Sequence, residues 1–166
     1  MRELIIIRGA GDLASGVGHR LKKGGFRVIM LEIEKPTVIR RTVSFATAVF
    51  AGEAEIEGIK AVKADTYQEA AALSRTNIIP VLIDPTGESI KALKPDGVVD
   101  CILAKKNLGT NIHMAPAVVA AGPGFTAGID AHAVVETIWE GLYGTDLQNL
   151  IPEHRETSEA TQRKDL

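Results

Sequence analysis

Gly9 and Gly11 stand one residue apart directly after the apolar run Leu4 to Ile7, and an amphipathic stretch follows them. Glycines at that spacing permit a tight turn with the backbone close to a ligand. Ala14 supplies the small residue that the G-x-G-x-x-G/A pattern places where helix packs on strand. The first N–H groups of a helix have no partner within it and point beyond the strand end. A phosphate held by Gly9, Ala10, Gly11, Asp12 and Leu13 would gain about 0.3–2 kcal/mol from the helix dipole. The spacing predicts an anion-binding turn and leaves the ligand open.

Further candidates follow the other apolar runs. Glu32 lies where an acidic side chain accepts hydrogen bonds from a ribose hydroxyl. Arg40 and Arg41 come shortly after it, either to hold a phosphate bidentately or as a solvated basic pair. Asp84 opens the string D-P-T-G after Ile78 to Ile83, and Lys105, Lys106 and Asn107 follow Gly97 to Leu103. Of two adjacent lysines at a strand end, one points across the sheet edge toward a ligand, unless both are simply solvated. Gly122 and Gly124 form a second glycine-rich turn, whose backbone donors either close over a bound group or only make the turn.

Groups for catalysis are scarce. His113 and His132 fall near the expected ligand edge, and His19 falls within the first helix. No H-x-x-x-H or C-x-x-C pair offers a metal site, and neither Tyr67 nor Tyr143 has a lysine four residues on. Cys101 lies inside an apolar strand, where a free cysteine is ordinarily core. Binding is expected, and no residue is assigned to catalysis.

The elements that must position these residues alternate along the chain. Leu4 to Ile7, Phe26 to Leu31, Ile59 to Val62, Ile78 to Ile83, Gly97 to Leu103 and Ala117 to Ala121 read as six strands. Leu13, Val17 and Leu21 share one helical face, which Gly24-Gly25 closes. Thr42 to Ala51 is a further candidate helix, Asp65-Thr66 caps one through Tyr67 to Ser74, and Asp130 to Leu142 makes the last. This alternation predicts an α/β fold, a three-layer, Rossmann-like, doubly wound parallel sheet with right-handed crossovers and strand order 3-2-1-4-5-6. Ligands in such sheets sit beyond the carboxyl ends of the strands.

The 166 residues make about one domain, expected over residues 1–143. Residues 144–166, rich in charge, Thr, Ser and Gln, are expected as a loosely attached polar tail. A net charge of −2 gives no long-range attraction for nucleic acid or an anionic membrane. One cysteine allows no intramolecular disulfide and fits a reducing compartment, and no apolar run is long enough to span a bilayer. A cytoplasmic protein is expected.

Several strings together resemble a known family: I-I-R-G-A-G-D-L-A-S-G-V from Ile6, M-L-E-I-E-K-P from Met30, I-R-R-T-V-S-F from Ile39, D-C-I-L-A-K-K-N-L-G-T from Asp100, Ala115-Pro116, and G-P-G-F-T-A-G-I-D-A-H-A-V-V-E-T from Gly122. They look like the YqeB-type accessory proteins of selenium-dependent molybdenum hydroxylase systems, distantly similar to XdhC-type chaperones of the molybdenum cofactor. The resemblance covers residues 4 to 137 and implies a maturation protein for an enzyme of the xanthine dehydrogenase type. Its implied cofactor is a molybdopterin-type nucleotide, and its implied partner is the hydroxylase apo-enzyme or its maturation machinery, with a homo-oligomer as a further possibility. The family pattern continues into a β-rich second segment, where this chain has the polar stretch Ile138 to Leu166. The residues alone also admit an NAD(P)-binding oxidoreductase, although a separate substrate domain and a proton donor are missing, or an interaction module with an empty cleft.

Overall fold

The first strand, β1 (Leu4–Arg8), is an apolar run ending on a charge, and all its residues but Ile5 are buried. Such runs suit parallel strands covered on both faces. The computed structural model describes residues 2–135. After β1 come α1 (Asp12–Lys23), β2 (Arg27–Glu32), α2 (Thr47–Ala51), β3 (Glu53–Ile56), β4 (Ile59–Ala64), α3 (Tyr67–Leu73), β5 (Ile78–Ile83), α4 (Glu88–Leu93), β6 (Gly97–Asp100), β7 (Ala117–Ala121) and β8 (Ala133–Val135).

The described strands form one eight-stranded sheet in the order β3-β4-β5-β2-β1-β6-β7-β8, parallel except for the β3–β4 hairpin. Ile6 pairs with Ile29 on one side and Val98 on the other. Alternate residues feed two cores. Ile7, Val28 and Met30 pack with Ala14, Val17 and Leu21 of α1. Ile6, Ile29 and Leu31 pack with Ala70 of α3 and Ile90 of α4. Helices therefore cover both faces, and the architecture is the expected three-layer α/β sheet of Rossmann-like type.

The strand order departs from 3-2-1-4-5-6. The strand Ile78–Ile83 sits between β2 and β4 rather than beside β1, and Gly97–Asp100 takes the place next to β1. Composition explains the exchange. Ile79 to Leu82 are all buried, whereas β4 carries half-exposed Lys60 and Lys63 and suits a position toward the margin, where β3 pairs with it. The chain runs from β1 to β2 on one side and later crosses back from β5 to β6 on the other, so the switch point lies between β1 and β6.

Three local expectations also change. The helix foreseen over Thr42 to Ala51 is a 3-10 turn at Arg41–Val43 followed by α2 alone, because Ser44 is extended and tied to the glycine turn. The strand foreseen over Gly97 to Leu103 ends at Asp100, and Leu103 has a positive φ of 59°. The last helix, foreseen over Asp130 to Leu142, is contradicted at Ala133–Val135, where a β-branched pair extends the sheet beside β7. The remainder of that stretch, and the tail foreseen from residue 144, lie outside the described residues. The α3 cap is as expected: Thr66 Oγ1 accepts from Glu69 N–H, and Glu69 Oε2 accepts from Asp65 N–H.

Candidate functional site

Gly9 leaves β1 with a φ of 99°, a backbone conformation that favours glycine. A Cβ there would stand 2.8 Å from the carbonyl oxygen of Cys101, so the turn and the end of β6 pass too closely for any side chain. Gly11 differs. Its φ is −63° and a Cβ would meet nothing within 4 Å. The first glycine is fixed by the fold, and the second faces open space.

That space is a cleft of about 630 Å³ at the carboxyl ends of β1, β2, β5 and β6, the switch point of the sheet. Gly9, Gly11, Asp12, Leu13, Glu32 and Asp84 all line it. Much of the remaining wall is apolar, with Leu31, Ile33, Ile102, Leu103 and Leu108.

The turn is held by its own carbonyl. Ala10 O accepts from Ser15 Oγ (3.1 Å), Ser44 Oγ (2.9 Å) and Ala46 N–H (2.8 Å), while Ser15 Oγ accepts from Phe45 N–H. Ala10 itself is buried and does not line the cleft. Its N–H donates to Glu32 Oε2 at 2.8 Å, and Glu32 Oε1 accepts from Ile33 N–H at 2.8 Å. Leu13 N–H donates to Asp12 Oδ1, and Asp12 Oδ2 receives Arg40 through Nε at 2.8 Å and Nη2 at 2.6 Å. Two amide donors of the turn thus already serve carboxylates. Each Glu32 oxygen keeps acceptor capacity, because a carboxylate offers about four lone-pair sites.

Asp84 is engaged by α4. Its carboxylate accepts from the N–H groups of Gly87 (2.9 Å), Glu88 (3.1 Å) and Ser89 (2.8 Å). Burial raises its pKa, but the Ser89 hydroxyl close by and the hydrogen bonds from these three N–H groups outweigh burial and hold it below the usual aspartate value.

Arg8, which lines the cleft, and its buried partner Asp100 carry no role in the sequence reading. Both are 1% exposed. Arg8 Nη1 donates to Thr110 Oγ1 and lies 3.6 Å from Asp100 Oδ2, and Thr110 Oγ1 donates to Asp100 at 2.5 Å. Arg8 Nη2 donates to Pro85 O and Leu108 O, which pins the β5–α4 and β6–β7 loops together. A cation ending a buried strand, with an aspartate ending another, was the signal available for this cluster. Cys101 also lines the cleft, but burial and the neighbouring Asp100 push its thiol up to about 12, so it remains protonated at neutral pH.

The other sequence candidates lie elsewhere. Lys105 and Lys106 are exposed and do not line the cleft. Asn107 organises its own loop, accepting from Gly109 and Thr110 N–H and donating to Thr110 O and Asp130. Gly124 passes so close that a Cβ would stand 2.9 Å from Lys106 Cα, and Gly122 N–H donates to Val135 O. These five residues form a structural neighbourhood of the β6–β8 side.

No family model matches the sequence, and no solved structure matches it. Over 135 residues, 81% of the chain, it is 58% identical to YqeB of Escherichia coli (strain K12), itself described as uncharacterized. The chain is thus similar to YqeB over most of its own length. It spans 25% of that relative's length, so the similarity concerns one part of a longer protein. Among the described residues, no helix is long and apolar enough to cross a membrane.

Proposed function

We propose that this chain is the cofactor-binding module of a cytoplasmic maturation protein for a molybdenum hydroxylase of the xanthine dehydrogenase type. Its ligand is a nucleotide or molybdopterin-type cofactor, and its partner is the apo-enzyme or its maturation machinery. The observation that carries the binding role is the cleft at the switch point, open at Gly11 and edged by Glu32. The molybdenum assignment rests on the sequence strings shared with YqeB-type proteins.

The residues present fit the uncharged part of such a cofactor. Leu13, Ile33, Leu103 and Leu108 would hold a planar base or pterin, and Glu32 would accept from a ribose hydroxyl or a ring N–H. A phosphate seated on the turn itself would meet Asp12 and Glu32, whose carboxylates already hold the Leu13 and Ala10 donors.

Native mass spectrometry of the purified protein identifies any co-purifying nucleotide or pterin. Calorimetry then compares the molybdenum cofactor, its cytosine dinucleotide form and NADH. Glu32→Gln removes a charge-assisted acceptor and weakens binding by about tenfold. Gly11→Trp fills the cleft and abolishes binding while far-UV circular dichroism stays unchanged. Failure of every cofactor to bind, or full binding by Gly11→Trp, overturns the reading. NADH binding with hydride turnover replaces the maturation role by that of a dehydrogenase.

A further inference from the structure

The Arg8-tied loops have a second side. Pro85 and Leu108 face the Glu32 cleft, and their neighbours Thr86, Gly87 and Gly109 line a broader groove of about 970 Å³. The two hollows are therefore separated by a wall one loop thick, made of the segments that Arg8 Nη2 holds through Pro85 O and Leu108 O.

Their charges differ in sign. The Glu32 cleft gathers three carboxylates, Asp12, Glu32 and Asp84, against Arg8 and Arg40. The second groove gathers Lys91, Lys94, His113 and His132 against the single carboxylate of Glu88. Neither lysine forms an ion pair among the described residues. The His132 ring is oriented: Nδ1 accepts from Val118 N–H at 2.9 Å, which leaves Nε2 as the donor nitrogen. Lys94 holds a φ of 46° at the end of α4, a left-handed conformation for a residue with a side chain, at the rim of the groove. In a chain of net charge −2, a concave surface with this excess of cationic and N–H donors is a local exception that long-range attraction does not explain.

We infer that the Lys91–Lys94–His132 groove is a phosphate subsite in its own right, on the other side of the Arg8-held loops from the Glu32 cleft. Lys94 stands two residues before Asp96, whose N–H donates to Leu4 O at the amino end of β1, whereas Glu32 ends β2, so the subsite extends toward the opposite end of the sheet. The ligand class is a phosphate or diphosphate group, which carboxylates oppose at the glycine turn and cations favour in this groove.

Calorimetry on the full chain with pyrophosphate and, separately, adenosine tests it. The double variant Lys91→Gln/Lys94→Asn removes both charges, and asparagine tolerates the left-handed backbone at residue 94. Pyrophosphate affinity falls at least tenfold in this variant and weakens with added salt, while adenosine affinity is unchanged. Glu32→Gln gives the reverse pattern. Pyrophosphate that fails to bind the unmodified chain at millimolar concentration, binds the double variant equally, or is displaced only by Gly11→Trp overturns the subsite. The two readings fail separately. Adenosine binding sensitive to Glu32→Gln without pyrophosphate binding removes the subsite and keeps the cofactor role, whereas lysine-dependent pyrophosphate binding without any nucleoside or pterin binding removes the cofactor role and keeps the subsite.

Discussion

The glycine turn and the Arg8 wall bound the same cleft from different sides, and different forces hold them. The turn is held by short-range backbone geometry: a positive φ at Gly9, and a carbonyl at Ala10 gathering donors from Ser15, Ser44 and Ala46. The wall is held by one buried guanidinium whose partners lie 77 to 102 residues away in sequence. A close-packed turn tolerates change at its open glycine and none at its closed one. A wall hung on a buried charge fails as a whole when that charge is removed.

The largest expected effect is therefore at Arg8. Arg8→Met leaves Asp100 buried without its cation and frees the Pro85 and Leu108 carbonyls, a loss of about 3–5 kcal/mol in urea denaturation. Adding Asp100→Asn to that variant removes the stranded charge and recovers part of the loss. A single-variant loss below about 1 kcal/mol, the range of an exposed pair, would show that the wall stands without the guanidinium. Next is Gly9→Ala, where strain at φ 99° and a Cβ 2.8 Å from Cys101 O together cost about 2–4 kcal/mol. Gly11→Ala is its control and changes stability by less than about 0.5 kcal/mol. Equal losses at the two glycines would erase the distinction between a closed and an open position.

The same contrast explains what the sequence revealed. Strand, glycine turn and helix are written in consecutive residues, so β1, α1, β2 and the address of Glu32 could be read directly. The Thr66 cap was legible for the same reason. Strand order was not, because it depends on whether Ile78–Ile83 or Ile59–Ala64 better tolerates the sheet margin, a competition decided by burial across the whole sheet. Arg8 and Asp100 stayed hidden because they become neighbours only once β6 is known to pair with β1. Lys105 and Lys106 follow a strand, but that strand ends at Asp100 and the two lysines stand exposed, outside the lining of the cleft. What Glu32 touches could not be read either, since its engagement with Ala10 N–H is a matter of side-chain reach and not of spacing.

Asp84 lies between the two regimes, in the cleft by position and in α4 by bonding, and its expected loss is smaller than those at Arg8 and Gly9. If it serves as the helix cap that its three accepted N–H groups indicate, Asp84→Ala costs about 1–2 kcal/mol at neutral pH. The pH dependence separates a cap from a neutral spacer. The folded carboxyl lies below its ordinary value of 3.8, so its stabilisation is fully present above that value and is lost as pH falls through the folded value. Denaturation of the parent chain and Asp84→Ala at pH 7 and again below pH 3 should therefore show a gap that narrows on acidification. Asp84→Asn keeps one acceptor oxygen and falls between the two at pH 7. A gap that stays constant with pH would mean that the ionised carboxylate contributes nothing to α4, and would leave Asp84 available to the cleft instead.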